Sequence, residues 1–180
     1  MKKDSRTLAL PYQGRPRRIL SANEPLLRKR AKPVTKSELR DPLFAQLIAD
    51  MFATLQAASL IGMAAPQIGV SKQLFVVHFQ EAEELHGPLA LINPVLESRE
   101  GEVISEEGSP CLPGVIAGVP RATRILCSGV DPEGKRVRIE ATGLFAICIQ
   151  HEMDHLAGRL MIDEALWTKE MAPTTDEASS

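Results

Sequence analysis

The chain has 180 residues, 44% of them hydrophobic and 24% charged, with a formal net charge of −2. That length suits one well-cored domain, and the near-neutral balance gives no reason to expect a nucleic-acid ligand. No apolar run reaches the length of a bilayer span, and the patch Leu8-Ala9-Leu10, stopped by Pro11, is too brief for a signal-peptide core. The expectation is a cytoplasmic monomer. Cys111, Cys127 and Cys148 are an odd count without framework spacing, so each reads as a free thiol.

In chain order, residues 1–17 are polar with Pro and Arg and read as a flexible N-terminal segment. A single domain is expected over 18–170 and a polar tail over 171–180. The basic run Arg28-Lys29-Arg30 with Lys32 reads as a solvated surface turn. Leu43, Leu47, Met51 and Leu55 repeat at i+4, with Phe44, Ile48 and Phe52 beside them, which predicts a helix from Leu43 to Ala58. Ser37 or Asp41 can cap it, and Pro42 suits its first position. Strands are predicted at 73–79, at Leu89–Ile92 up to the stop at Asn93-Pro94, at 101–105, and at 124–130 and 136–140. The last two flank the turn Asp131-Pro132-Glu133-Gly134 as a hairpin.

A second helix is predicted over 143–157, ended by Gly158. Leu144, Ile147, Cys148, His151 and His155 lie along one stripe of it, while Phe145, Ile149 and Leu156 widen its apolar surface. The fold class is α+β, with mostly antiparallel strands packed around a central buried helix that carries the histidines.

That helix contains His151-Glu152-Met153-Asp154-His155. Residues i and i+4 share a helix face, so both imidazoles can reach one metal ion. Glu152, one residue round, can serve an attacking water as general base. Catalytic sites of this type take three protein ligands. His78 sits in an apolar strand and reads as a core histidine. His86 lies in an acidic loop and reads as solvated. Cys111, in the Pro/Gly-rich segment Pro110-Cys111-Leu112-Pro113-Gly114, offers a thiolate suited to a soft or borderline cation. A small buried hydrophobe is the alternative reading of Cys111 and the favoured reading of Cys127 and Cys148.

Three segments, in order, resemble the peptide deformylases. They are Gly62-Met63-Ala64-Ala65-Pro66-Gln67-Ile68-Gly69, Glu106-Glu107-Gly108-Ser109-Pro110-Cys111-Leu112, and Gly143 through Leu156 with its Gln-His-Glu-x-Asp-His-Leu core. Ile92-Asn93-Pro94 and Val119-Pro120-Arg121 add to the likeness, which covers most of residues 18–166. The resemblance implies a hydrolase that removes the formyl group from the initiator formyl-methionine of nascent polypeptides, near the ribosome. It implies one divalent metal, Fe2+ in cells, with Zn2+, Ni2+ or Co2+ tolerated. It makes His151, His155 and Cys111 the metal ligands and Glu152 the proton carrier. Gln67 and the main-chain amide of Leu112 become donors to the developing oxyanion. Gly62, Met63 and Ile147 would border the substrate, with Met63 and Ile147 also readable as core.

The chain departs from the family pattern in three places. Aligned without gaps, Ser109 takes the ligand position and Cys111 the family's serine. Keeping Cys-Leu in register costs two residues inserted before it and two removed after it. If the segment is extended, positions 109 and 111 share a face about 6–7 Å apart. Leu60 stands for the first glycine of a Gly-x-Gly pair, and Ile116 for an arginine near the substrate backbone. These departures support an alternative, a deformylase-like protein with weak or no catalysis that binds peptide N-termini. A zinc endopeptidase would need a third ligand downstream, where Asp163 and Glu164 are the near candidates.

Overall fold

The computed structural model describes residues 13–80 and 85–171, with side chains at 13–78 and 88–171. Residues 1–12 and 172–180, which make up most of the two expected terminal segments, and the His86 side chain lie outside the described residues. Helix α1 spans Pro42–Ala57 and α2 spans Gly143–Ala157. The strands are β1 (Gly62–Ala64), β2 (Leu74–Gln80), β3 (Leu85–Glu100), β4 (Val103–Ser109), β5 (Leu112–Arg121), β6 (Arg124–Val130), β7 (Arg136–Thr142) and β8 (Trp167–Glu170). They form a five-stranded sheet in the order β1-β2-β3-β6-β7 and a three-stranded sheet in the order β4-β5-β8, every pairing antiparallel.

Strand alternation decides which helix goes where. Successive side chains of β2 point to opposite faces. Phe75 and Val77 join Leu91, Ile125 and Cys127 in a core against Phe145, Ile149 and Leu156 of α2. Leu74 and Val76 join Ile92 in a second core against Phe44, Ile48, Met51, Phe52 and Leu55 of α1. The five-stranded sheet is therefore covered on both faces, and α2 also meets the second sheet through polar contacts described below.

Several expectations hold at residue level. Asp41 caps α1, its carboxylate accepting from the Leu43 amide at 2.9 Å, and Pro42 follows at the first helical position. Such a cap is worth about 1 kcal/mol. Gly158 ends α2 in the left-handed region at φ 78°, and β6 and β7 form the predicted hairpin.

Other expectations are corrected. Leu43 is 75% exposed, so the buried stripe of α1 begins at Phe44. Asn93-Pro94 does not stop β3. Asn93 takes φ 51° and its side chain satisfies Val34, accepting from its amide and donating to its carbonyl. The register shifts there, and pairing with β6 resumes at Val95, as at a bulge. Strand β5 was not anticipated. Its Pro120 pairs with Ile104 of β4 beyond the residues that pair with β8, so one edge of the strand is unpaired at the proline. Gly118 leaves room for the Trp167 indole, since a Cβ there would lie 2.2 Å from the ring.

Candidate active site

The candidate residues meet where α2, β1 and the β4–β5 hairpin converge. Helix α2 carries His151, Glu152 and His155. β1 and the 3-10 turn Ala65–Ile68 bring Gly62 and Gln67. The hairpin brings Cys111. A cleft of about 180 Å³ lies between them, lined by Gly62, Gln67, Ile147, Cys148, His151 and Glu152, with Leu60, Ile61 and Leu144 at its apolar side.

The His151 and His155 rings are 4.9 Å apart between centroids and inclined at 73°. Nδ1 of His151 lies 2.8 Å from Oε2 of Glu107. With that nitrogen donating to the carboxylate, the ring is held in place and Nε2 keeps its lone pair. His155 is 1% exposed, and neither of its ring nitrogens has a hydrogen-bond partner among the described residues; Oε2 of Glu152 is in the same condition. Three orphaned buried polar atoms within one helical turn are costly unless they share a partner. Two imidazoles beside a buried carboxylate fit a divalent first-row cation.

The two rings differ electrostatically: burial disfavours the charged form of His151, but its hydrogen bond to Glu107 and the nearby Glu152 carboxylate outweigh it and raise its pKa. Burial, reinforced by His151, pushes the His155 pKa down to about 3, so its ring is neutral, as a metal ligand must be. Burial pushes Glu152 up to about 7, where a carboxyl can accept and return a proton near neutrality. Burial also opposes the charge on Glu107. Hydrogen bonds from Arg121 and His151 outweigh it and hold its pKa down to about 2, so Glu107 stays ionised beside His151.

Gln67 is 1% exposed, its Oε1 accepting from the Ala64 amide at 2.7 Å. That bond turns Nε2 toward the site, where it lies 3.6 Å from Cys111 Sγ. The chain is extended through Ser109 but not from Ser109 to Cys111. Ser109 pairs with Leu112, so Pro110 and Cys111 form a tight turn, and the register then shifts so that Gly108 pairs with Ile116. Pro110 favours the turn, and Gly114 at φ 77° lets β5 bulge to restore the ladder. Cys111 is buried, its amide donating to Ser109 Oγ at 3.3 Å and its carbonyl accepting from Ala22 at 2.8 Å. Burial pushes its thiol up from the ordinary value. Among the described residues no three His, Cys, Asp or Glu side chains are gathered as a metal-holding group. The imidazoles form a pair, and the Cys111 sulfur stands beside Gln67.

Of the remaining candidates, Ile147 lines the cleft and Leu112 closes the hairpin opposite Ser109. Met63 is a correction. β1 alternates, so Gly62 faces α2 while Met63 points to the other side and is fully buried in the α1 core. Gly62 lines the cleft, and its missing side chain also accommodates the protein's own residues. A Cβ there would lie 2.6 Å from both Cys148 Sγ and Glu152 Oε1, so its bareness makes room for the protein's own carboxylate. His78 is half-buried on β2. All three cysteines are free and buried.

Residue-type reasoning missed the network behind the histidines. Arg121, 6% exposed, donates from Nε and Nη2 to Glu107 at 2.7 and 2.9 Å and from Nη1 to Asp154 at 2.5 Å. Gln150 clamps α2 to the β5–β6 corner, accepting from the Ala122 amide at 3.0 Å and donating to the Ala122 carbonyl at 2.9 Å. A signal existed, because Glu107, Arg121, Gln150 and Asp154 all lie inside the segments that carry the resemblance.

A model of the polypeptide deformylase family matches residues 16–170. The chain belongs to the polypeptide deformylase family. Peptide deformylase 2 of Xanthomonas campestris pv. campestris is 41% identical over 145 residues, covering 81% of this chain and 84% of that one. A peptide deformylase crystal structure from Legionella pneumophila superposes with a TM-score of 0.76 at 38% identity, covering 88% of this chain and 87% of the other. The Met-Ala-Ser-bound class I type b peptide deformylase of Acinetobacter baumannii gives a TM-score of 0.79 at 26% identity, with 83% and 98% covered.

Proposed function

We propose that this chain hydrolyses the N-formyl amide of formyl-methionyl peptides, releasing formate. The observation that carries the reading is the His151 and His155 pair on one helix, with His151 and the near-neutral Glu152 carboxyl lining the same cleft as Gln67. His151, His155 and Cys111 would hold one divalent cation, Fe2+ in cells and Zn2+, Ni2+ or Co2+ in its place. When bound, that ion supplies positive charge that acidifies a nearby water and polarises the formyl carbonyl.

The protein's own residues account for the rest. Glu152, at the cleft wall, takes a proton from the attacking water and returns it to the leaving amine. The Gln67 amide, aimed by its bond to Ala64, and the Leu112 amide donate to the oxyanion. Glu107 keeps His151 oriented and Arg121 keeps Glu107 charged. Leu60, Leu144 and Ile147 offer an apolar seat for the methionine side chain. β1 and β4 are each at the edge of their sheets and border the cleft, so an extended peptide can add to a free strand edge. The Acinetobacter protein is one with a short peptide, Met-Ala-Ser, bound. The same reading makes the protein a cytoplasmic monomer acting on nascent chains near the ribosome. No helix among the described residues is long and apolar enough to cross a membrane.

For the third ligand, Cys111 is favoured over Ser109, because the Ser109 hydroxyl is already engaged by the Cys111 amide while the sulfur faces Gln67. Anaerobically purified protein loaded with Fe2+ or Ni2+ should release formate from a formyl-Met peptide; a loaded protein that releases none overturns the reading in favour of a peptide-binding relative without catalysis. The cobalt-substituted protein should show thiolate-to-cobalt charge-transfer absorption that disappears in Cys111→Ala. An unchanged spectrum and metal content in that variant removes Cys111 from the ligand set.

A further inference from the structure

On another face of α2 lies a second and larger cavity, of about 340 Å³. The cleft uses Leu144, Ile147, Cys148, His151 and Glu152, whereas this cavity is walled by Gln150, Met153, Asp154 and Ala157 of the same helix. Four guanidiniums line it, Arg30, Arg99, Arg121 and Arg159, against two carboxylates, Asp154 and Glu164.

The carboxylates are already committed. Asp154 Oδ2 accepts from Arg121 at 2.5 Å and Oδ1 from Arg159 at 2.5 Å, and Glu164 lies 3.6 Å from Arg159 Nε. Among the described residues neither Arg30 nor Arg99 has a carboxylate within ion-pair distance, although every other guanidinium in the lining has one. Counting the lining alone, four guanidiniums against two carboxylates leave two positive charges in excess, and with Arg121 and Arg159 paired, these fall to Arg30 and Arg99, both exposed residues. Arg30 reaches it because the segment Arg28-Lys29-Arg30-Ala31-Lys32 runs along the end of α2, with the Ala31 amide donating to the Leu156 carbonyl at 2.9 Å. Asp163 neutralises Arg28, and Lys29 and Lys32 are exposed at the flank. The basic run is a solvated surface segment, as expected, and one of its members shares a cavity lining with Arg99 of β3.

We propose that this cavity binds phosphate groups through Arg30 and Arg99, as a site separate from the deformylase cleft. Two unpaired guanidinium forks around one concavity match the charge and the bidentate geometry of phosphate oxygens. Free inorganic or organic phosphate and the phosphodiester backbone of RNA present the same chemistry.

The test uses the full metal-loaded chain. Inorganic phosphate should raise the thermal midpoint relative to chloride at equal ionic strength, because a ligand of the native state stabilises it. The rise should vanish in Arg30→Ala/Arg99→Ala, while that variant keeps wild-type formate release and the wild-type midpoint in chloride. Anisotropy of a labelled single-stranded RNA separates the sources. If RNA binds, is displaced by phosphate, and loses at least tenfold in affinity in the double variant, the backbone is a ligand. The slope of log affinity against log salt should then fall by about 1.4 for two lost contacts. If phosphate stabilises and RNA does not bind, the site takes free phosphate. The proposal is overturned if phosphate gives the wild type no more stabilisation than chloride, or if Arg30→Ala/Arg99→Ala and the single charge reversal Arg99→Glu both respond as the wild type does.

Discussion

Replacing Arg121 by Met tests whether the network behind the histidines holds the site together. The guanidinium is 6% exposed and makes three charge-assisted hydrogen bonds, two to Glu107 and one to Asp154. Without it, Glu107 keeps only His151, and Asp154 keeps only Arg159, whose side chain is 45% exposed. Two carboxylates would then be buried without adequate compensation, and breaking a buried pair in this way costs about 3–5 kcal/mol. For a domain of this size, about 2–4 °C of thermal midpoint accompanies each kcal/mol. The expected fall is therefore roughly 6–20 °C. Urea denaturation and calorimetry of the metal-loaded protein measure it. Metal affinity should fall as well, by about 10–100-fold, because Glu107 fixes the His151 ring. Arg121→Lys keeps the charge but not the planar fork, so it should fall between wild type and Met. A loss below about 1 kcal/mol with metal affinity intact would refute the reasoning, because it would mean that the two carboxylates are stabilised by something other than Arg121.

Gly62→Ala should lower the turnover of formyl-Met peptide and cost about 1–3 kcal/mol of stability, as the new methyl overlaps Cys148 Sγ and Glu152 Oε1; adding Cys148→Ala should recover part of the stability, and strict additivity in denaturant melts would count against the overlap. Gln150→Glu sets a carboxylate against the Ala122 and Ala146 carbonyls, to which the amide now donates at 2.9 Å each. A loss of about 1–3 kcal/mol is expected, and an unchanged urea midpoint would show that the clamp contributes nothing. The Glu38 carboxyl, hydrogen-bonded to Lys72 and to Thr35, is lowered from 4.5 to about 2. Its contribution is therefore present above pH 4.5 and fades as the pH falls toward 2. The stability difference between wild type and Glu38→Gln should shrink over that window and also with added salt; a difference that persists at pH 2 contradicts the assignment.

Local rules account for much of what was legible in the chain. The caps of α1 and α2, at Asp41 and Gly158, follow from the shortage of backbone partners at helix ends. The β6–β7 hairpin follows from Asp131-Pro132-Glu133-Gly134. The pairing of His151 with His155 follows from helical spacing alone. Strand β5 was hidden because Pro113, Gly114, Gly118 and Pro120 read as loop, and only Trp167 and the unpaired edge at Pro120 show why a strand tolerates them. Met63 carried two readings, cleft or core, because alternation places a residue on one of two faces without saying which face borders the cleft; burial against α1 decides for the core.

What the sequence determined by itself is the helix with its His-Glu-x-x-His face and the family segments that accompany it, because those are matters of residue type and short-range period. Tertiary structure alone decided that Pro110 and Cys111 turn tightly, so that the sulfur meets Gln67 while the Ser109 hydroxyl is consumed by the turn. It also decided that Gly62 is bare for the sake of Glu152, and that Arg121, from β5, keeps Glu107 charged behind His151. These are meetings between segments far apart in the chain. They depend on register, burial and the desolvation of charge, which no local pattern encodes.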